Sequence, residues 1–204
     1  MVALLAIVVM VGVLAGPVMS KVEQPPYDVV ETLANSNVEI RQYQSMIVAK
    51  VKVSGERSEA ASKGFRRVAD YIFGGNVQAK SIAMTAPVEQ QGERIAMTAP
   101  VEQQAVSSGH WHVSFIMPSE YTLETLPIPN DDQVQLAPVP AKRFAVIEFS
   151  GRPTQANLNE HSERLMTVIK AKQMETVGVI KYAFYNPPWT LPLLRRNEVM
   201  IELR

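Results

Sequence analysis

Residues 46–55 read MIVAKVKVSG and residues 142–151 read KRFAVIEFSG. Laid over one another, both are strand patterns, and both stop at Ser-Gly. In the first, Ile47, Ala49, Val51 and Val53 alternate with Lys50 and Lys52, the period of two that a half-buried strand requires. Each strand is followed by a helical pattern of similar length. The first helix is expected over residues 58–73, with Ala61, Phe65, Val68 and Ile72 at spacings of four, three and four, and it ends at Gly74-Gly75-Asn76. The second is expected over residues 154–172, with Leu158, Leu165, Val168 and Ile169 as its apolar stripe. Strand patterns follow both: His110 to Met117 after the first, Val177 to Tyr185 and Glu198 to Leu203 after the second. The order of elements therefore repeats. Two β-α-β-β halves, about 36–118 and 133–204, are related by a pseudo-twofold, with helices packed on a curved antiparallel sheet. This is an α+β fold, and because neither half buries its sheet face alone, residues 27–204 are read as one domain.

Working outward, Tyr27 to Leu33 and Val38 to Tyr43 are short strands before the first match, and Val134 to Pro140 is one before the second. Lys21 to Pro26 is a polar, proline-containing linker. Ahead of it, Val2 to Ala15 (VALLAIVVMVGVLA) is unbrokenly apolar, and Gly16 to Ser20 extends the run to Lys21. A run of about 14 residues followed by small ones is a signal-peptide core; a span of about 18 just crosses a bilayer. Residues 1–20 are thus expected to form an apolar helix that is either a signal peptide or a membrane anchor, placing the protein in the periplasm, exported, or held at a membrane.

Composition excludes several chemistries. The 204 residues include 20 basic and 20 acidic side chains, for a formal net charge of zero. Nucleic acid is not an expected partner, since phosphate binding needs a concentrated basic surface. There is no cysteine, so disulfides, thiolate nucleophiles and zinc–thiolate sites are excluded.

The most distinctive segment is a duplication: IAMTAPVEQQ at 82–91 returns unchanged at 95–104 after Gly92-Glu93-Arg94. Two extended runs joined by a short turn suggest a hairpin. Pro87 and Pro100 cannot donate to a ladder, so it is expected to be twisted and partly detached from the sheet. Met84 and Met97 either fill the core or form an adaptable rim on an apolar pocket. The repeat carries no nucleophile–base pair and no carboxylate pair, and no enzyme activity is read from the chain. Of the three histidines, His110 and His112 share one strand face, a solvated face or a surface metal pair. His161 lies near the stripe of the second helix, as a packing histidine or a metal ligand. Arg195-Arg196-Asn197-Glu198 is either a guanidinium pair for ligand carboxylates or an ion-paired turn closed by Glu198.

IAMTAPV, the Gly-Gly-Asn helix stop, FIMPSEYTLETLPIPND (115–131), FSG (149–151) and RRNEV (195–199) together resemble the SOUL/heme-binding protein family, and the doubling is similar to its bacterial members. The resemblance runs from about Tyr27 to the C-terminus. It implies a distorted antiparallel β-barrel flanked by two helices. It also implies non-catalytic, non-covalent binding of heme or another tetrapyrrole in an apolar groove between the first helix and the loop before the last strand. In this chain those regions offer Phe65, Val68, Ala69 and Ile72 from the helix, and Trp189, Leu191, Leu193, Leu194, Arg195 and Arg196 from the loop. The alternative is a membrane-associated interaction module without physiological heme.

Overall fold

The computed structural model describes residues 22–34, 36–78 and 92–204. The expected N-terminal helix and the first copy of the duplication, with Met84 and Pro87, lie outside the described residues. In chain order the elements are β1 (Tyr27–Leu33), β2 (Val38–Tyr43), β3 (Met46–Ser54), α1 (Arg57–Ile72), β4 (Asn76–Val77), β5 (Val101–Ser107) and β6 (His110–Ile116). After these come β7 (Ile128–Pro129), β8 (Gln135–Val139), β9 (Lys142–Phe149), α2 (Gln155–Ala171), β10 (Thr176–Phe184), a 3-10 turn (Pro192–Leu194) and β11 (Asn197–Leu203).

Nine strands form one antiparallel sheet in the order β1-β2-β9-β11-β10-β5-β6-β3-β8, and β4 pairs with β7 in a separate ribbon. From β2 to β8 the order is a palindrome about the β5–β10 pair. The first half supplies β3, α1, β5 and β6; the second supplies β9, α2, β10 and β11 in equivalent places. The strand that precedes each half crosses to the other one: β2 pairs with β9, and β8 pairs with β3. This exchange ties the halves together through backbone pairing. Gly55 and Gly151, the two ends of the internal match, take φ of +122° and +105°, backbone that glycine alone enters without strain.

The sheet is not closed, which corrects the expected barrel. Its edges are β1 and β8, and they do not pair. Pro138 sits in β8, where its missing N–H is tolerated only at an edge, and β1 is exposed along most of its length.

Directly opposed residues in an antiparallel pair point to one face, so the registers assign every side chain. Both helices lie on the same face. On it, α1 covers Ala49, Val51, Val113 and Phe115, and α2 covers Ala145, Ile147, Val199 and Ile201. The buried side of α1 differs from the expected stripe: it runs through Ala60, Gly64, Val68, Tyr71 and Ile72. Gly64 sets this. A Cβ there would lie 2.5 Å from the Val113 Cβ, so the helix rests on its small residues and Phe65 rolls to the rim, its ring 5.4 Å from that of Phe115. Thr154 caps α2 by accepting from the Asn157 N–H at 3.2 Å.

The second copy of the duplication is not detached. Its last four residues open β5, in the middle of the sheet between β10 and β6. Pro100 falls just before that strand, where no ladder donor is needed. Met97 is 43% exposed rather than in the core; Ile95 and Ala99 are buried in its place. Asn76 ties this segment to the end of α1, donating to the carbonyl oxygens of Tyr71 (2.7 Å) and Glu93 (2.8 Å) and accepting from the Glu93 N–H (2.9 Å).

Candidate functional site

The two helix starts meet at the pseudo-twofold, and one side chain joins them. Arg57, the first residue of α1, donates from Nε to Gln155 Oε1 (2.8 Å), from Nη2 to the Pro153 carbonyl (3.0 Å) and from Nη1 to Gln103 Oε1 (3.3 Å). Gln103 returns a bond to the Arg57 carbonyl at 2.8 Å. Burial lowers the Arg57 pKa from its ordinary value. A cavity of about 410 Å3 lies here, lined by Arg57, Arg152 and Arg195 together with Glu56, Ser58 and Thr154 among others. Three arginines and one carboxylate among the lining residues give it a net positive charge.

The loop between β10 and β11 borders this cavity. Its base is closed by the Arg196 N–H donating to Asn186 Oδ1 at 2.6 Å, and its tip is held to the corner before α2 by the Gly151 N–H and the Pro192 carbonyl at 2.8 Å. Arg195 braces it from inside, donating from Nε to the Thr190 carbonyl at 2.8 Å and from Nη2 to that of Pro188. Bracing the backbone leaves four large apolar side chains in solvent. Trp189 and Leu193 are 82% and 84% exposed, and Leu191 and Leu194 are nearly as open. A cluster of this kind on an ordered loop marks a contact surface.

Arg196 goes elsewhere. It points to the face of the sheet away from the helices and pairs with Glu198 through Nη2 (2.6 Å) and Nε (3.0 Å), and with Glu148 at 3.1 Å. The Glu198 carboxylate is fully buried and also accepts from Arg41 Nη1 (2.8 Å) and the Tyr185 hydroxyl (2.9 Å). Burial, then the Glu198 charge, raises the pKa of the Tyr185 and Tyr43 phenols. Burial opposes the charge on Arg41 and Arg196, yet Glu198 holds both pKa values above the ordinary arginine value. Arg196 is therefore the ion-paired member of the Arg195-Arg196 pair.

Of the ten side chains expected at the groove, Arg195 alone lines this cavity. Val68, Ala69 and Ile72 face the sheet, buried; Phe65 reaches the surface of α1. The loop residues gather beside Arg195. His161 stacks on Phe149 with ring centroids 4.0 Å apart, and its Nδ1 lies 2.7 Å from the Asn157 carbonyl, the arrangement of a packing histidine. No group of three His, Asp or Glu able to hold a metal occurs among the described residues. Sequence reasoning missed Arg57 and Arg152. Extending the internal match beyond Ser-Gly finds them: Arg152 follows Gly151 directly, and Arg57 follows Gly55 by two.

Fold and site together define a twofold-repeated, helix-covered antiparallel sheet with a cavity where the two helix starts meet. Within that class, the family model for the SOUL heme-binding protein matches residues 22–202, and the chain belongs to this family. Solved structures share the fold at low identity. An uncharacterized conserved protein from Listeria innocua has a TM-score of 0.54 at 10% identity, covering 83% of this chain and 93% of that one. A structure described as a hydrolase from Listeria innocua has 0.52 at 11%, covering 83% and 92%. The EcmrR C-terminal domain has 0.53 at 11%, covering 87% and 98%. No curated protein matches the chain.

Proposed function

We propose that this protein binds heme or another flat, amphipathic tetrapyrrole without catalysing a reaction on it. One observation carries the reading: three guanidiniums line a cavity at the helix starts, beside a braced loop that holds Trp189, Leu191, Leu193 and Leu194 in solvent. A tetrapyrrole presents two carboxylates and a flat apolar face. Arg57, Arg152 and Arg195 would hold the carboxylates; the loop side chains and Phe65 would cover the face. Burying four such loop side chains contributes roughly 6–12 kcal/mol. After an association cost of at least about 4 kcal/mol, up to about 8 kcal/mol remains, a dissociation constant no tighter than about 1 μM from these contacts. No histidine lines the cavity, so the macrocycle is held by its face and its carboxylates, and metal-free protoporphyrin should bind about as well as hemin.

The apolar run Val2 to Ala15 supports attachment to a membrane, or export if the run is removed. Among the described residues, no helix is long and apolar enough to cross one. The inward turn of Arg196 toward Glu198 favours a second reading, an interaction module at a membrane in which the apolar loop contacts a partner. Titration with hemin and with metal-free protoporphyrin, followed by the Soret band and tryptophan quenching, separates the two. Saturable one-to-one binding in the low micromolar range supports the carrier; linear uptake rules it out.

A further inference from the structure

A second cavity is larger than the one at the helix starts. It measures about 630 Å3 and lies at the ends of β3 and β6, between the Val22–Pro26 segment and the loop after β6. Its chemistry is the opposite of that at the helix starts. Met46, Ile47, Ile116, Met117, Leu123 and Val139 supply apolar wall, and five of its twenty lining residues are prolines, which present ring carbons and no N–H. Among the described residues, no Lys, Arg or His lines it. Both charged residues on the wall, Glu23 and Glu124, are acidic, and three of its polar side chains are hydrogen-bonded. Glu23 Oε1 accepts from the Ser119 N–H at 2.9 Å, the Thr98 hydroxyl donates to the Ile116 carbonyl, and the Tyr121 hydroxyl donates to Glu93 at 2.8 Å. Such a cavity rejects carboxylates and phosphates and accepts hydrocarbon.

Its position supplies the occupant. Glu23 lines the cavity and is fixed to the sheet, its carbonyl accepting from the Ala99 N–H at 2.9 Å. The apolar run with its small-residue extension ends at Ser20, three residues earlier, and three residues span at most about 11 Å. If the run lies in a bilayer, the cavity is held within that distance of where the chain leaves it, comparable to the depth of the headgroup layer.

We infer that this cavity takes one acyl chain of a membrane phospholipid, with the headgroup outside in solvent. The inference rests on the membrane attachment proposed above. Hydrocarbon finds the apolar wall, whereas the phosphate, which meets the Glu23 and Glu124 carboxylates, stays at the mouth. A bound acyl chain would hold the domain against the bilayer by a second contact besides the run, fixing its orientation there.

The test uses the full chain reconstituted into phosphatidylcholine vesicles whose acyl chains end in a diazirine. Flotation after a carbonate wash reports attachment, and photolysis with peptide mapping reports where the chains lie. The expected result is flotation, with label on the peptides that carry Met46–Ile47 and Met117–Leu123. Leu123→Asp, at an exposed position on the cavity wall, should cut that label at least fivefold and leave both flotation and the label on residues 1–20 unchanged. Val139→Trp, which narrows the cavity without adding charge, should do the same. Flotation with label confined to residues 1–20 overturns the acyl-chain site and leaves attachment standing. Failure to float overturns attachment, and the acyl-chain site with it.

Discussion

Glu198→Gln removes the negative charge from the centre of the sheet's uncovered face and keeps the side chain's shape. The carboxylate is wholly buried, and it neutralises Arg41, itself only 3% exposed, and shares Arg196 with Glu148. Breaking a buried ion pair from one side typically costs about 3–5 kcal/mol, because the remaining charge is left without compensation in a low dielectric. Here both arginines keep a second carboxylate. Arg41 retains Glu39 at 2.7 Å and Arg196 retains Glu148 at 3.1 Å, and these partners are 33% and 51% exposed. The loss should therefore sit at the lower end, about 3 kcal/mol, which for a chain of this size lowers Tm by roughly 6–12 °C. Urea unfolding followed by far-UV circular dichroism reads it, with the midpoint falling and the slope unchanged. Arg41→Met alone and the double variant close a cycle, with an expected coupling of about 1–3 kcal/mol. A Glu198→Gln loss under about 1 kcal/mol, or additive single variants, would refute the claim that this carboxylate anchors the face.

Gly64→Ala should destabilise by about 1–3 kcal/mol although alanine is the better helix former, because the added Cβ meets Val113 at 2.5 Å and must push α1 off the sheet; thermal unfolding that shows a gain would refute the close approach. Thr154→Ala should cost about 1 kcal/mol through loss of the α2 cap, with Thr154→Ser recovering most of it in the same assay. His112 is held below the ordinary imidazole value of 6.5 by burial, then by Lys50 and Lys52, with Asp132 as the carboxylate of the same surface cavity. The folded pKa is depressed, so the unfolded chain takes up the proton first as pH falls. The contribution to stability is present above pH 6.5 and lost below it. An NMR titration should place the midpoint below that of a model peptide, and Lys52→Gln should move it upward.

Much of the fold was legible because strand and helix periods are local. The match between residues 46–55 and 142–151 located β3 and β9, both helices and the twofold relation. Strand order was not legible. The crossing of β2 to β9 and of β8 to β3 is a pairing between distant segments that leaves no mark on either one's alternation, and whether a sheet closes depends on such pairings. The face of α1 was misread for a specific reason: hydrophobicity favours Phe65, but steric room favours Gly64, and close packing decided. At the site, Arg195 and Arg196 look equivalent in sequence. They separate because successive side chains in extended backbone point opposite ways, which sends Arg196 to the side of Glu198 and leaves Arg195 with the loop. The second copy of IAMTAPVEQQ, conspicuous in the sequence, supplies a central strand and no lining residue of the guanidinium cavity.

The central claim is that carboxylates of a flat ligand are held by guanidiniums at the helix starts while the apolar loop covers its face. The most direct measurement compares metal-free protoporphyrin with its dimethyl ester on the full chain and on the Arg152→Ala/Arg195→Ala double variant, read by quenching of Trp189 in a Trp111→Phe background. The account predicts saturable micromolar binding of the diacid that weakens at least tenfold in the double variant, and weaker binding of the ester that the variant reduces by a much smaller factor, through the loop brace that Arg195 supplies. Equal binding of diacid and ester, or a diacid affinity indifferent to the loss of both arginines, would contradict it.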